Sequence, residues 1–222
     1  MRDVAADVWQ IDGIRLPYAI NVYLVGDVLI DASYRRAGNR ILRELRGHRV
    51  NAHALTHAHA DHQGSSHQIC EELGIPFWCP EGDAKAAEIG AEEIRRQLPD
   101  AWRNSWRVRL LARILPGPGH PVARRLHEGD EVGGFRVIDA PGHSPGQAVY
   151  WRESDRVLLI GDVLINLPRL AEPPAWGSTD LALNRRSAKK LLPLEPSIVL
   201  FGHGRPLRNT RAFVKFVERL AD

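Results

Sequence analysis

The chain reads as a layered α/β protein. Short apolar, strand-like segments alternate with helical segments along its length. Those strand-like segments end repeatedly in glycine- and proline-rich turns. A length of 222 residues with 44% hydrophobic content is enough to bury a full core as one domain.

Taken in order, Val8–Ile11 and Asn21–Asp31 are expected strands, the second folded on itself at Val25-Gly26-Asp27-Val28, a hairpin turn. Arg40–Arg46 suits a helix that stops at Gly47. Ala52–Thr56 is a short strand running into a histidine cluster. Ser66–Leu73 is a helix closed by Gly74, followed by a strand at Pro76–Cys79 and an Ala/Glu/Arg-rich helix at Glu81–Gln97. In the second half Phe135–Ala140 is a strand, and Gln147–Arg152 pairs with Arg156–Ile160 as a hairpin. Asp180–Leu192 is a helix, Ile198–Phe201 a strand and Thr210–Leu220 a closing helix. No repeat of solenoid period and no linker divides the chain.

Composition narrows the function classes. The formal charge of +3 and a pI near 9.1 suggest nucleic acid, but 27 acidic residues nearly balance 30 basic ones. Of those basic residues 26 are arginines, spread along the chain, so nucleic acid is disfavoured as a partner and a small-molecule substrate preferred. No apolar run is long enough to span a bilayer, and the first residues lack the basic-then-apolar pattern of a secretion signal. The expected compartment is therefore the cytoplasm, with Cys70 and Cys79 as reduced, buried thiols. A homodimer is left open.

The chemistry is concentrated in Leu55-Thr56-His57-Ala58-His59-Ala60-Asp61-His62, three imidazoles and a carboxylate within six positions. Nitrogen and oxygen donors without a thiol suit borderline divalent metals. In an extended segment His57 and His59 project to one side. Asp61 and His62 follow where the chain turns into a helix, so the segment can serve two ions. Three further candidates each follow an apolar strand: His143 in Pro141-Gly142-His143-Ser144-Pro145-Gly146, Asp162 in Ile160-Gly161-Asp162, and His203 in Phe201-Gly202-His203-Gly204. Loops at strand ends are where a rigid sheet positions reactive groups. His48, His53, His67, His120 and His127 lie outside this pattern and are expected in surface or satisfied polar roles, with His120 in a loop able to reach the mouth of the site.

This constellation, HxHxDH followed by His143, Asp162 and His203, resembles the metallo-β-lactamase-fold hydrolase superfamily. The resemblance implies a four-layer αβ/βα sandwich with the metal site at one edge between two sheets. It implies that His57, His59 and His143 hold one metal, that Asp61, His62 and His203 hold the other, and that Asp162 bridges them. Asp31 matches an early family aspartate that supports the site from behind its ligands. The implied cofactor is a pair of divalent ions, zinc first, iron or manganese otherwise, activating water with Asp61 orienting the nucleophile or moving its proton.

The substrate expected from this resemblance is a small ester, thioester or lactone. Alternatives on the same site are a phosphodiesterase or nuclease, or an iron-dependent enzyme of the persulfide-dioxygenase type built mainly on His57, His143 and Asp162. The likeness is to the glyoxalase II-like branch without its C-terminal glutathione-binding helical domain, since 19 residues follow His203. Quorum-signal lactonases often carry a tyrosine where this chain has Ile165. The stretch 81–129 is expected to be a helical cap insertion on one domain spanning 1–222, presenting Trp102 and Trp106 to a pocket or forming an interface. Arg169, just past Asp162, is the candidate clamp for an anionic group.

Overall fold

A computed structural model describes residues 1–90 and 117–221. A seven-stranded sheet runs in chain order: β1 (Arg2–Ala5), β2 (Val8–Asp12), β3 (Asn21–Val25), β4 (Val28–Ile30), β5 (Ala52–Ala54), β6 (Phe77–Pro80) and β7 (Arg124–Leu126). It is antiparallel from β1 to β4 and parallel from β4 to β7. The change of sense follows from the connections. Gly26 at φ 54° makes the tight β3–β4 turn, whereas β4 reaches β5 through helix α1 (Gly38–Glu44). Helices α2 (Ala60–Gln63) and α3 (Ser66–Leu73) then carry β5 to β6, and α4 (Glu81–Ile89) follows β6.

The second sheet contains β8 (Glu131–Val132), β9 (Phe135–Asp139), β10 (Ala148–Arg152), β11 (Val157–Leu159) and β14 (Ile198–Leu200), in the order β14-β11-β10-β9-β8. A two-stranded hairpin, β12 (Ile165–Asn166) with β13 (Leu170–Ala171), stands apart. Helices α5 (Leu181–Lys190) and α6 (Thr210–Glu218) complete the chain. Asp180 caps α5 by accepting the Leu183 amide at 2.9 Å.

Side-chain alternation sorts these elements into four layers. On β3, Tyr23 and Val25 face β10, β11 and β14 residues such as Tyr150, Leu159 and Leu200 in a core between the sheets. Val22 and Leu24, one residue out of phase, pack with Ile41 of α1 and Ile69 of α3. On the other sheet Val149, Leu158 and Val199 pack against Ala188 of α5 and Phe213 and Val217 of α6. Each sheet is thus buried on both faces, helices outside, in an αβ/βα sandwich. That is why β3, β4, β5, β11 and β14 are buried along their whole length.

Several expected boundaries move. The helix expected at Arg40–Arg46 begins earlier, at Gly38. The strand at Ala52–Thr56 stops at Ala54, because the Thr56 amide turns away to the Asp31 carboxylate. The helix that opens at Glu81 ends at Ile89, where Gly90 takes φ 68°. Trp102 and Trp106, with residues 91–116 of the expected cap, lie outside the described residues. Among the described residues no helix is long and apolar enough to cross a membrane.

Candidate metal centre

The topology brings six loops to one edge of the sandwich. Asp31 follows β4, His57–His62 follow β5 and Asp83 follows β6, all at the same ends of parallel strands. On the facing sheet His143 lies in the β9–β10 turn, and Asp162 and His203 follow β11 and β14. Those two strands pair in parallel with Leu159 opposite Leu200, so Asp162 and His203 lie three residues beyond a matched pair.

Here the predicted ligands meet. Donor atoms of His57, His59 and His143 lie within 4.8 Å of one another, as do those of Asp61, His62 and His203, and those of His57, His62 and Asp162. Asp162 Oδ2 is 3.6 Å from His62 Nε2, 3.6 Å from His143 Nε2 and 3.2 Å from His203 Nε2. Asp61 Oδ2 is 3.2 Å from His203 Nε2. Donors bonded to one cation at about 2.0–2.2 Å sit roughly 3.3 Å apart in a tetrahedral shell, so this is the spacing of groups sharing an ion.

The far side of four of the five rings, those of His57, His62, His143 and His203, is tied down. Asp31 accepts the Thr56 amide at 2.8 Å, the Thr56 hydroxyl at 2.9 Å and His62 Nδ1 at 2.9 Å. The Thr56 hydroxyl, its proton given to Asp31, accepts in turn from His57 Nδ1 at 3.0 Å. His143 Nδ1 donates to the Ser178 hydroxyl at 3.1 Å, and His203 Nδ1 donates to the Ala19 carbonyl. With Nδ1 committed outward, Nε2 is the inward-facing donor of these four rings. Asp31 therefore holds one histidine from each expected ligand set. Its φ of 63° suits aspartate, which tolerates the left-handed region better than most residues.

The residues fit a divalent cation. His57 Nε2, His62 Nε2, His143 Nε2 and Asp162 Oδ1 are buried without a hydrogen-bond partner, a costly arrangement for four atoms converging on one place. Gly202 keeps that place open, since a Cβ there would lie 2.1 Å from Asp162 Oδ1 and 2.7 Å from His62 Cε1. His59, Asp61 and His203 are partly exposed while His57, His62, His143 and Asp162 are buried, so the site opens to solvent along one rim.

Electrostatics agree. Burial opposes charge throughout, and at His57 and His143 it prevails, pushing His143 down to about 3 and His57 well below its usual value. At His62 burial is outweighed by Asp162, Asp31 and Asp61, and the ring is pushed up to about 10. At His203 it is outweighed by Asp162 and Asp61, which lift the ring to about 12. Against the same burial penalty, His62 and His203 hold Asp61 and Asp162 below the usual carboxylate range. The carboxylates thus favour positive charge on His62 and His203, at the place where a cation would sit.

Asp83 escaped the sequence reading. It is buried in the first turn of α4, accepting the Ala58 amide at 2.8 Å and the Gly146 amide at 2.7 Å, and so pins the His57–His62 loop to the His143 loop. Its signal was available, an acidic residue just past an apolar strand in Pro80-Glu81-Gly82-Asp83. Arg169 is exposed in the β12–β13 turn. That hairpin adjoins the site, because the Asn166 amide donates to the His203 carbonyl at 2.8 Å. His53 is buried and satisfied as expected, bonded to the Leu29 carbonyl and the Ser66 hydroxyl. His67 and His120, expected in surface or satisfied polar roles, are brought together with their Nδ1 atoms 3.1 Å apart, a pairing the sequence did not announce.

Residues 15–203 match the family model of the metallo-beta-lactamase superfamily. The chain is 30% identical over 203 residues to a probable metallo-hydrolase, YflN, of Bacillus subtilis, covering 81% of this chain and 76% of that protein. It is 28% identical over 162 residues to the hydroxyacylglutathione hydrolase GloC of Haemophilus influenzae, covering 68% of this chain and 66% of the relative. The crystal structure of TTHA1623 in a di-iron-bound form superposes with a TM-score of 0.63 at 30% identity, covering 86% of this chain and 91% of that one.

Proposed function

The chain belongs to the metallo-β-lactamase superfamily, and on that footing we propose that it is a dinuclear metallohydrolase of a small ester, thioester or lactone. The observation that carries the proposal is the position of Asp162, whose Oδ2 lies 3.2–3.6 Å from Nε2 of His143 on one side and of His62 and His203 on the other. One buried carboxylate between two ligand sets is suited to two cations. His57, His59 and His143 would hold one, and Asp61, His62 and His203 the other.

Two divalent cations bound there supply Lewis acidity toward a carbonyl oxygen and make water acidic enough to attack at neutral pH. The chain's own groups do the rest. Asp61, on the solvent rim and held ionised by His62 and His203, accepts a hydrogen bond from the attacking water and so orients it. Asp31, through Thr56 and directly, keeps the Nε2 lone pairs of His57 and His62 aimed inward. Asp83 holds the two ligand loops in register. Arg169, on the hairpin beside His203, is the group we assign to an anionic part of the substrate.

The ester-class reading follows the Haemophilus relative, named for hydrolysis of an acylated glutathione. Zinc suits the nitrogen and oxygen donors, and the di-iron form of TTHA1623 favours iron as the second metal to test. The test is to strip the protein with a chelator, reload it with zinc, iron(II) or manganese, and assay thioesters, lactones, esters and bis-nitrophenyl phosphate. Metal-dependent turnover of an ester-class substrate is expected, with Asp162→Ala losing metal and turnover together. Turnover of the phosphodiester alone would overturn the substrate class. A fully metallated, fully active Asp162→Ala would overturn the bridging role.

A further inference from the structure

A second set of metal-type donors stands apart from this centre. His67 and Glu71 are four residues apart on α3, which places them on one face of the helix. His120 reaches the same point from the loop that returns toward β7. Its Nδ1 is 3.1 Å from His67 Nδ1 and 3.8 Å from Glu71 Oε1, and one donor atom from each residue lies within 4.8 Å of the other two. The two rings meet edge-on with centroids 5.2 Å apart, and His120 also abuts Phe77, at 5.8 Å.

A histidine–histidine hydrogen bond accounts for only part of this. Two Nδ1 atoms in contact need one ring protonated there and the other not. Glu71 at 3.8 Å is beyond hydrogen-bond reach of His120 yet points to the same spot. Separations of 3.1 and 3.8 Å bracket the roughly 3.3 Å edge of a tetrahedron with bonds of about 2.0–2.1 Å, the geometry of zinc with nitrogen and oxygen ligands. The His120 loop is also firmly seated. The His120 amide donates to the Ala87 carbonyl at 3.2 Å, and Gly117 packs so closely on Gly64 that a Cβ would lie 2.0 Å from its carbonyl oxygen.

We propose that His67, Glu71 and His120 form an accessory zinc site, distinct from the candidate hydrolytic centre. Three protein ligands leave the fourth position to water. The ion ties α3 to the 117–120 loop, which rests on Gly64, two residues beyond His62. The site therefore clamps the rim of the hydrolytic centre without contributing a ligand to it.

The test is equilibrium dialysis of the metal-loaded protein against zinc, read by elemental analysis and by thermal unfolding with and without added zinc. The parent is expected to bind one zinc ion per chain more than a His67→Ala/His120→Ala variant, and only the parent should gain Tm from the added zinc. Glu71 is exposed, so Glu71→Gln leaves the fold intact and decides the matter even if the double variant fails to fold. It should weaken zinc binding at this site by roughly tenfold or more. Equal zinc stoichiometry in the parent and the double variant, or unchanged zinc affinity in Glu71→Gln, would overturn the proposal.

Discussion

Asp31 is buried, carries no metal-facing atom, and organises more of the site than any single expected ligand. Its oxygens receive Thr56 and His62, and through the Thr56 hydroxyl they set the tautomer of His57. An isosteric amide keeps the left-handed backbone tolerable but offers one acceptor and one donor where two acceptors are required. Asp31→Asn should lower metal affinity about 10–100-fold. It should also destabilise the protein by about 1–3 kcal/mol, because a buried donor is left unmatched. Asp31→Ala should be worse, adding about 1–2 kcal/mol of backbone strain at φ 63°. Metal titration and denaturant unfolding of the two variants check this order, and an Asp31→Asn protein with parental metal affinity would contradict it. The sequence named Asp31 only through a resemblance. Its reach to His62, 31 positions away, is set by the pairing of β4 with β5 and could not be read from spacing.

At the level of elements, strand ends do the positioning and glycines leave the room. The β14 loop brings Gly202 against Asp162 and His62, where a methyl group would lie 2.1 Å from Asp162 Oδ1 and push that carboxylate aside. Gly202→Ala should therefore displace Asp162 by an amount on the order of 1 Å, which costs roughly 10²-fold in turnover. The sandwich itself should survive, since the change lies outside both faces of β14. Circular dichroism together with steady-state kinetics separates the two effects, and an active Gly202→Ala enzyme would remove Gly202 from the account. The strand ends bearing candidate ligands were legible because each combines an apolar run, a turn residue and a donor within a few positions. The strands β1, β7, β8, β12 and β13 were not legible. Each has two to four residues, and β7 reads Arg-Arg-Leu, too short and too polar to declare a period. They are held by neighbours: β7 pairs with β6 in parallel, an arrangement only the assembled sheet defines.

For the molecule as a whole, the site couples stability, protons and metal. In metal-free protein His62 and His203, raised to about 10 and about 12 by their carboxylate neighbours against the burial penalty, each hold a proton at neutral pH. Groups raised in the folded state stabilise it fully below their unfolded value near 6.5, and that contribution is lost as pH rises through the folded values. Cations at Nε2 must displace these protons, so metal binding should release them and metal affinity should rise between pH 6.5 and 10. Calorimetry in buffers of different ionisation enthalpy reads the release directly, and a pH-independent affinity with no proton release would contradict it. The stability gap between loaded and stripped protein should widen over the same range; by mass action it amounts to about 4 kcal/mol at a thousandfold excess over Kd, read as a difference in Tm. Layered α/β architecture and the candidate donor set were visible in the sequence because each rests on local periodicity and donor type. The clustering of His67, Glu71 and His120 was not, because it joins residues 53 positions apart through a loop contact. The central claim is that one edge of this sandwich holds two metal ions sharing Asp162. Anomalous diffraction from crystals of the metal-loaded protein tests it most directly. The account predicts two peaks about 3.5–4 Å apart, one among His57, His59 and His143 and the other among Asp61, His62 and His203. A single peak at that edge, or none, would contradict it.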